Sequence, residues 1–132
     1  MFVYKINTNL TKSEAENLYK TLSIQEIEEL ESYDMKAYDV EINGKMSSYV
    51  IISRLTLVKI MIFLRQKEIK FTYEDISSKV FLNQITFDDE AFNKEIQKFI
   101  EENITIDDIL DKINLLGINS LTNIDKKILS QI

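Results

Sequence analysis

The chain of 132 residues contains no histidine, cysteine, tryptophan or proline, and only two glycines. Without cysteine there is no disulfide framework, no thiolate nucleophile and no thiolate metal site. Without histidine, no side chain has an ordinary pKa suited to proton transfer near pH 7, and nucleophilic triads of the Ser-His or Cys-His kind are excluded. Acid–base work would fall to a carboxylate, lysine or tyrosine held far from its ordinary value. A Ser–Lys arrangement is open in principle, but Ser78 and Lys79 are chain neighbours, which establishes no contact geometry. With glycine confined to Gly44 and Gly117, the standard P-loop and dinucleotide-binding loops are excluded, and no cofactor is expected. Long apolar runs are missing as well. The most apolar stretch, Leu55 to Leu64, contains Lys59 and is flanked by Arg54 and Arg65, so it is too short to span a bilayer and reads as a buried helix. The opening residues MFVYKINTNL turn polar too early for a signal peptide. A cytoplasmic protein without membrane association is the expectation.

What is present is an ordinary globular composition, 45% apolar and 29% charged, far from the disordered regime. The net charge of −6 is uneven. Residues 1–54 carry nine acids and six bases, residues 55–80 three and five, and residues 81–132 ten and five. An acidic surface makes a phosphate backbone an unfavourable partner, although Lys59, Arg65, Lys67 and Lys70 form a small basic section.

Residues 2–6 are β-rich and predict a first strand. Thr11 with Glu14 and Ser23 with Glu26 are capping boxes, each followed by apolar residues at helical spacing. Residues 36–42 alternate, with Tyr38, Val40 and Ile42 on one face and Ala37, Asp39 and Glu41 on the other. Asn43-Gly44 then predicts a two-residue hairpin turn, because both positions tolerate positive φ, and the return strand is about Met46–Ser53. Ser53 or Thr56 caps a helix to about Gln66, whose apolar residues point in nearly every direction. Residues 69–76 predict a fourth strand. The order β-α-β-β-α-β is the split βαβ plan of a ferredoxin-like α+β sandwich, with a four-stranded antiparallel sheet in the order 4-1-3-2 and both helices on one face. Lys5, Asp39, Glu41, Thr72 and Glu74 are candidates for the polar opposite face.

Residues 1–80 are thus expected to form one domain and 81–132 a docked extension of three helices. Thr86 with Asp89, Thr105 with Asp108 and Thr122 with Asp125 mark the three starts, with acid also favoured at the positive end of the helix dipole. The last helix would carry Ile128, Leu129 and Ile132, and Gly117 would end the middle one. Within this extension Ile109-Leu110-Asp111-Lys112-Ile113, Gly117, Ser120-Leu121-Thr122 and Lys126-Lys127-x-Leu129 resemble, over residues 105–132, a C-terminal helical tail segment of Bacteroidota proteins, including some rhomboid-family members. The resemblance implies a helical hairpin and carries no catalytic residue. The segment usually has a charged residue where this chain has Ile124.

Oxygen-ligand metal chemistry remains available for magnesium, calcium or manganese. The pairs Asp88-Asp89 and Asp107-Asp108 lie in predicted first turns, where capping explains them. Asp39 and Glu41 share a strand face that Glu74 could join, which allows a metal-dependent, nuclease-like enzyme as an alternative. Tyr4, Tyr49, Phe71 and Tyr73 could stack RNA bases on an exposed sheet, against the acidic surroundings. The leading expectation is a non-catalytic protein-binding or regulatory protein, whose partner is another protein or a second copy. Leu57, Met61 and Leu64 on the 55–65 helix are the candidate contacts. An acidic inhibitor or antitoxin-like partner for a basic surface is a further alternative.

Overall fold

A computed structural model describes residues 1–131. The chain divides into two compact units, Met1–Ile76 and Ser77–Ile132. The boundary falls before residue 80 because the chain enters a short helix directly after the fourth strand.

The first unit runs β1 (Phe2–Thr8), α1 (Lys12–Thr21), α2 (Ile24–Glu31), β2 (Lys36–Ile42), β3 (Lys45–Ile52), α3 (Arg54–Gln66) and β4 (Phe71–Asp75). All three strand pairings are antiparallel and the order is β2-β3-β1-β4, the order expected from the sequence. Both N-terminal capping boxes form: Thr11 and Ser23 accept from the amides of Glu14 and Glu26, whose carboxylates accept in return. Ser53, rather than Thr56, caps α3 by accepting from the Thr56 amide. Asn43 (φ 52°) and Gly44 (φ 78°) adopt the positive φ that a tight β2–β3 hairpin needs.

Opposed residues of antiparallel strands place their side chains on the same face, so the register assigns the faces. Tyr4 and Ile6 lie opposite Val50 and Ser48, and Ile6 lies opposite Tyr73. This face holds the core of Tyr4, Ile6, Val50, Ile52 and Leu57, with Ile60, Met61, Leu64 and Phe71 packed against it. On the other face Tyr38, Tyr49, Lys5 and Glu74 form one cross-strand row. The Tyr38 and Tyr49 rings stack at 6.3 Å and 17°, and Lys5 Nζ lies 5.7 Å from the Tyr49 ring centre. In the next row the Ser47 hydroxyl donates to Asn7 Oδ1 at 2.8 Å.

The expected single polar face is corrected by this register. Lys5, Thr72 and Glu74 do share a face, but Asp39 pairs with Ser48 and Glu41 with Met46, on the side that carries Ile6 and α3. β2 is an edge strand, so these two carboxylates remain exposed although they lie on the helix side.

The second unit has α4 (Ser77–Phe81), α5 (Glu90–Asn103), α6 (Ile106–Leu116), a 3-10 turn (Ile118–Ser120) and α7 (Asn123–Leu129). The three expected helices are joined by α4, which spans little more than one turn and leaves too short a periodic signal to read. The start of α5 also differs. Asp89, not Thr86, is its N-cap, and Asp89 Oδ1 accepts from the Phe92 amide at 2.7 Å. A carboxylate at that position caps the free amide and meets the positive end of the dipole together. Residues 86–88 instead lead into the helix, with Phe87 buried and its carbonyl accepting from Asn93 Nδ2. Phe92, Ile96, Phe99 and Ile100 of α5 and Ile109 of α6 supply buried apolar side chains. The boxes at Thr105 and Thr122 form as expected, and Gly117 ends α6 at φ 85°. Ile132 lies outside the described residues.

Candidate protein-interaction surface

The thirteen-residue helix α3 carries apolar side chains on two sides. Leu57, Ile60, Met61 and Leu64 follow i, i+3, i+4, i+7 spacing and meet the sheet. Leu55, Val58 and Ile62 form a second stripe at i, i+3, i+7 and are 66%, 48% and 48% exposed. The three residues expected to make protein contacts, Leu57, Met61 and Leu64, are therefore brought together on the inward side. Leu57 is buried at 5% exposure and the other two pack on the same core. Composition alone showed that α3 has more apolar circumference than a sheet needs; the sheet register decides which stripe is surplus.

Beside α3 lies α2, and the two helices have opposite charge. α2 holds Glu26, Glu28, Glu29 and Glu31 with no base, whereas α3 holds Arg54, Lys59 and Arg65 with no acid. Two contacts fix how they run. Lys67 Nζ, just past the end of α3, lies 2.6 Å from Glu26 Oε2 near the start of α2. At the other end, Lys59 Nζ lies 5.8 Å from the ring centre of Tyr33, just after α2. The helices are thus antiparallel neighbours, separated by a groove of about 220 Å³ lined by Glu26, Glu29, Tyr33, Lys59, Ile62 and Phe63. The Lys67 ammonium, together with the Ser23 amide, holds the Glu26 carboxyl below the usual carboxylate range. Partial burial pushes the Tyr33 phenol up, and its hydrogen bond to Glu29 at 3.1 Å adds to this. Apolar and charged groups thus meet in this groove at the surface.

The remaining candidates are dispersed. Asp39 and Glu41 lie on the opposite face of the sheet from Glu74, and β2 and β4 are separated by two strands, so these carboxylates do not converge. Among the described residues, no three acidic side chains gather as a metal group. Asp89 and Asp108 act as helix caps. Of the four aromatic candidates, Tyr4, Phe71 and Tyr73 belong to the helix-covered face and Tyr49 to the other, so they form no single stacking platform. No helix is long and apolar enough to cross a membrane among the described residues.

The second unit contains a feature that the sequence reading did not identify. Lys112 of α6 and Asp125 of α7 are 1% and 0% exposed, and Lys112 Nζ lies 2.6 Å from Asp125 Oδ2. The same oxygen accepts from the Thr122 amide at 2.9 Å, so one carboxylate both caps α7 and neutralises a buried ammonium. Asp125 Oδ1 is buried without a hydrogen-bond partner among the described residues. The available signal was positional: Lys112 stands three residues after Ile109, on the inner face of α6.

Residues 89–132 match the model of a family of unknown function, DUF6576. The matched segment includes both Lys112 and Asp125. No curated protein and no solved structure matches the chain.

Proposed function

We propose that this chain is a small protein-interaction module that acts by binding rather than by catalysis, with the solvent side of α3 as its contact face. The observation that carries this reading is the Leu55, Val58, Ile62 stripe, exposed while a separate stripe of the same helix supplies the core. Covering the exposed part of three such side chains is worth about 1 kcal/mol each, enough to anchor a contact when charged neighbours set its orientation. The frame supporting this face is, in the same reading, a ferredoxin-like domain: the element order and the strand order support it. The protein would work in the cytoplasm, and its residues 105–132 would be the helical tail of Bacteroidota proteins that they resemble.

The test is a Leu55→Lys, Val58→Lys, Ile62→Lys variant of the full chain. A contact face predicts that the wild type assembles, with itself or with a partner purified from its own host, and that the variant loses this assembly while its melting temperature is unchanged. A variant that assembles as the wild type does removes the α3 face from consideration. A large fall in melting temperature would instead make the stripe part of the folded core.

A further inference from the structure

We infer that the partner of this face is a second copy of the same chain, bound through an isologous contact in which α2 of each copy lies over α3 of the other. The inference rests on the interaction reading above and adds the identity of the occupant and the symmetry of the contact. Its basis is the segregation of charge between two neighbouring helices. α2 carries four acids and no base, and α3 carries three bases and no acid. A two-fold axis lying in the contact plane can run across the helices or along the groove between them. Across the helices, it stacks acidic α2 on acidic α2 and basic α3 on basic α3, and like charges brought together oppose association. Along the groove, it places every acid-rich helix on a base-rich one. Only the second choice is self-complementary, and self-complementarity is what an isologous contact requires.

The same axis also fixes the height at which residues meet. Lys67 beside Glu26 and Lys59 over Tyr33 show which levels of α2 and α3 correspond, and an axis along the groove preserves those levels. Glu31, exposed near the end of α2, then faces Lys59 of the second copy, and the reciprocal pair forms by symmetry. Ile62 lines the groove and meets its own counterpart near the axis, with Val58 beside it. At 1.5 Å per residue α3 is about 20 Å long and α2 about 12 Å, and two helices packed about 10 Å apart give a face roughly 20 Å wide. Such a face offers at most about 400 Å² per copy, below the range of stable interfaces and in that of weak, transient ones, so the expected dissociation constant is tens to hundreds of micromolar.

The experiment is sedimentation velocity on the full chain from about 1 µM to about 1 mM, a range chosen to span that affinity. The expected result is a reversible rise from 15.5 kDa towards twice that mass, weakened by salt. Glu31→Lys and Lys59→Glu should each weaken association about tenfold or more, because each charge acts twice in a symmetric contact. The combined Glu31→Lys, Lys59→Glu chain restores the pairing and should return to within about threefold of the wild type. Val58→Ser serves as the apolar counterpart, and circular dichroism confirms that each exposed substitution leaves the fold intact. A monomer throughout the range overturns the inference, as does a double variant no stronger than either single one. A photo-crosslinker at position 58 in the native host separates the two levels of the proposal. A self-adduct supports the second copy. An adduct to a different protein overturns the second copy and keeps the interaction face; no adduct removes both.

Discussion

The most demanding prediction concerns the buried pair Lys112–Asp125. Lys112→Met keeps length and apolar character in the stem but deletes the ammonium that lies 2.6 Å from Asp125 Oδ2. Asp125, fully buried, would retain one hydrogen bond, from the Thr122 amide, while its Oδ1 has none among the described residues. Leaving one member of a buried pair without its counter-charge costs about 3–5 kcal/mol. The unit that contains the pair spans Ser77–Ile132. At roughly 0.05–0.15 kcal/mol per residue, a unit of that length has only about 3–8 kcal/mol of stability. Lys112→Met should therefore bring α6 and α7 close to unfolding. The double variant Lys112→Met, Asp125→Asn should behave differently. It removes both charges, and the Asn side-chain oxygen can still accept from the Thr122 amide as an N-cap-region partner. It should recover most of the loss, because replacing a buried pair by neutral groups is often close to neutral.

Native-state hydrogen exchange is the suitable assay, since it reads the opening of individual helices separately from the sheet. The amides of α6 and α7 should lose about 100-fold or more of their protection in Lys112→Met, equivalent to about 3 kcal/mol, while those of β1 and β3 keep theirs. Protection in the double variant should return to within about tenfold of the wild type. A single variant with unchanged protection, or a double variant as unprotected as the single one, would falsify the account of Asp125 as a carboxylate stabilised by Lys112.

Three further outcomes are expected. Leu57→Ala should lower stability by about 2–4 kcal/mol and Val58→Ser by less than about 0.5 kcal/mol, a contrast that urea titration can check because Leu57 is buried against the sheet and Val58 is exposed. Gly44→Ala should cost about 1 kcal/mol in the same titration, since a Cβ there meets open space but φ is 78°. The carboxyls of Glu14 and Glu26 are held below their ordinary value of 4.5, by the Thr11 amide and by Lys67 respectively. A lowered folded pKa gives stability that is fully present above about pH 4.5 and is lost as pH falls through the folded values. Thermal melts from pH 6 to pH 2.5 should thus show a steeper acid decline for the wild type than for Glu26→Gln.

Local chemistry made much of this fold legible, and the register set the limit. Asn43-Gly44 has no good alternative to a tight turn, and strand alternation on either side of it follows from a period of two. The capping boxes at Thr11, Ser23, Thr105 and Thr122 were readable because each pairs two groups only three residues apart. Asp39 and Glu41 were readable as sharing a strand face but not as to which face, because that depends on pairing with β3 and, through it, with β1. The contact stripe on α3 was ambiguous for a related reason. A thirteen-residue helix with eight apolar side chains contains two valid stripes, and only the position of the sheet separates Leu57 from Val58. The Lys112–Asp125 pair depends on a tertiary contact between residues of two helices and had no local signature beyond a lysine at an inward position.

Exposed apolar side chains on a second helix sharpen why α3 is the stronger contact candidate. α6 also exposes Ile106, Leu110, Leu115 and Leu116, at 41–68%. Successive residues in a helix turn by about 100°, so Ile106 and Leu110 lie near one another while Leu115 points to the far side, beside a hollow of about 270 Å³ with Phe81 and Leu82. These residues form no single stripe, and Asp107, Asp108 and Asp111 crowd the side of the helix that carries Leu115. A partner would have to desolvate carboxylates to reach Leu115, a cost that burial of one leucine does not offset. On α3 the exposed stripe is continuous, its flanking charges are all of one sign, and the compensating charges stand on the adjacent helix. Hydrophobic surface alone would not distinguish the two helices. The arrangement of charge around it does, and it also makes the α3 proposal sensitive to a single reversed residue such as Lys59→Glu.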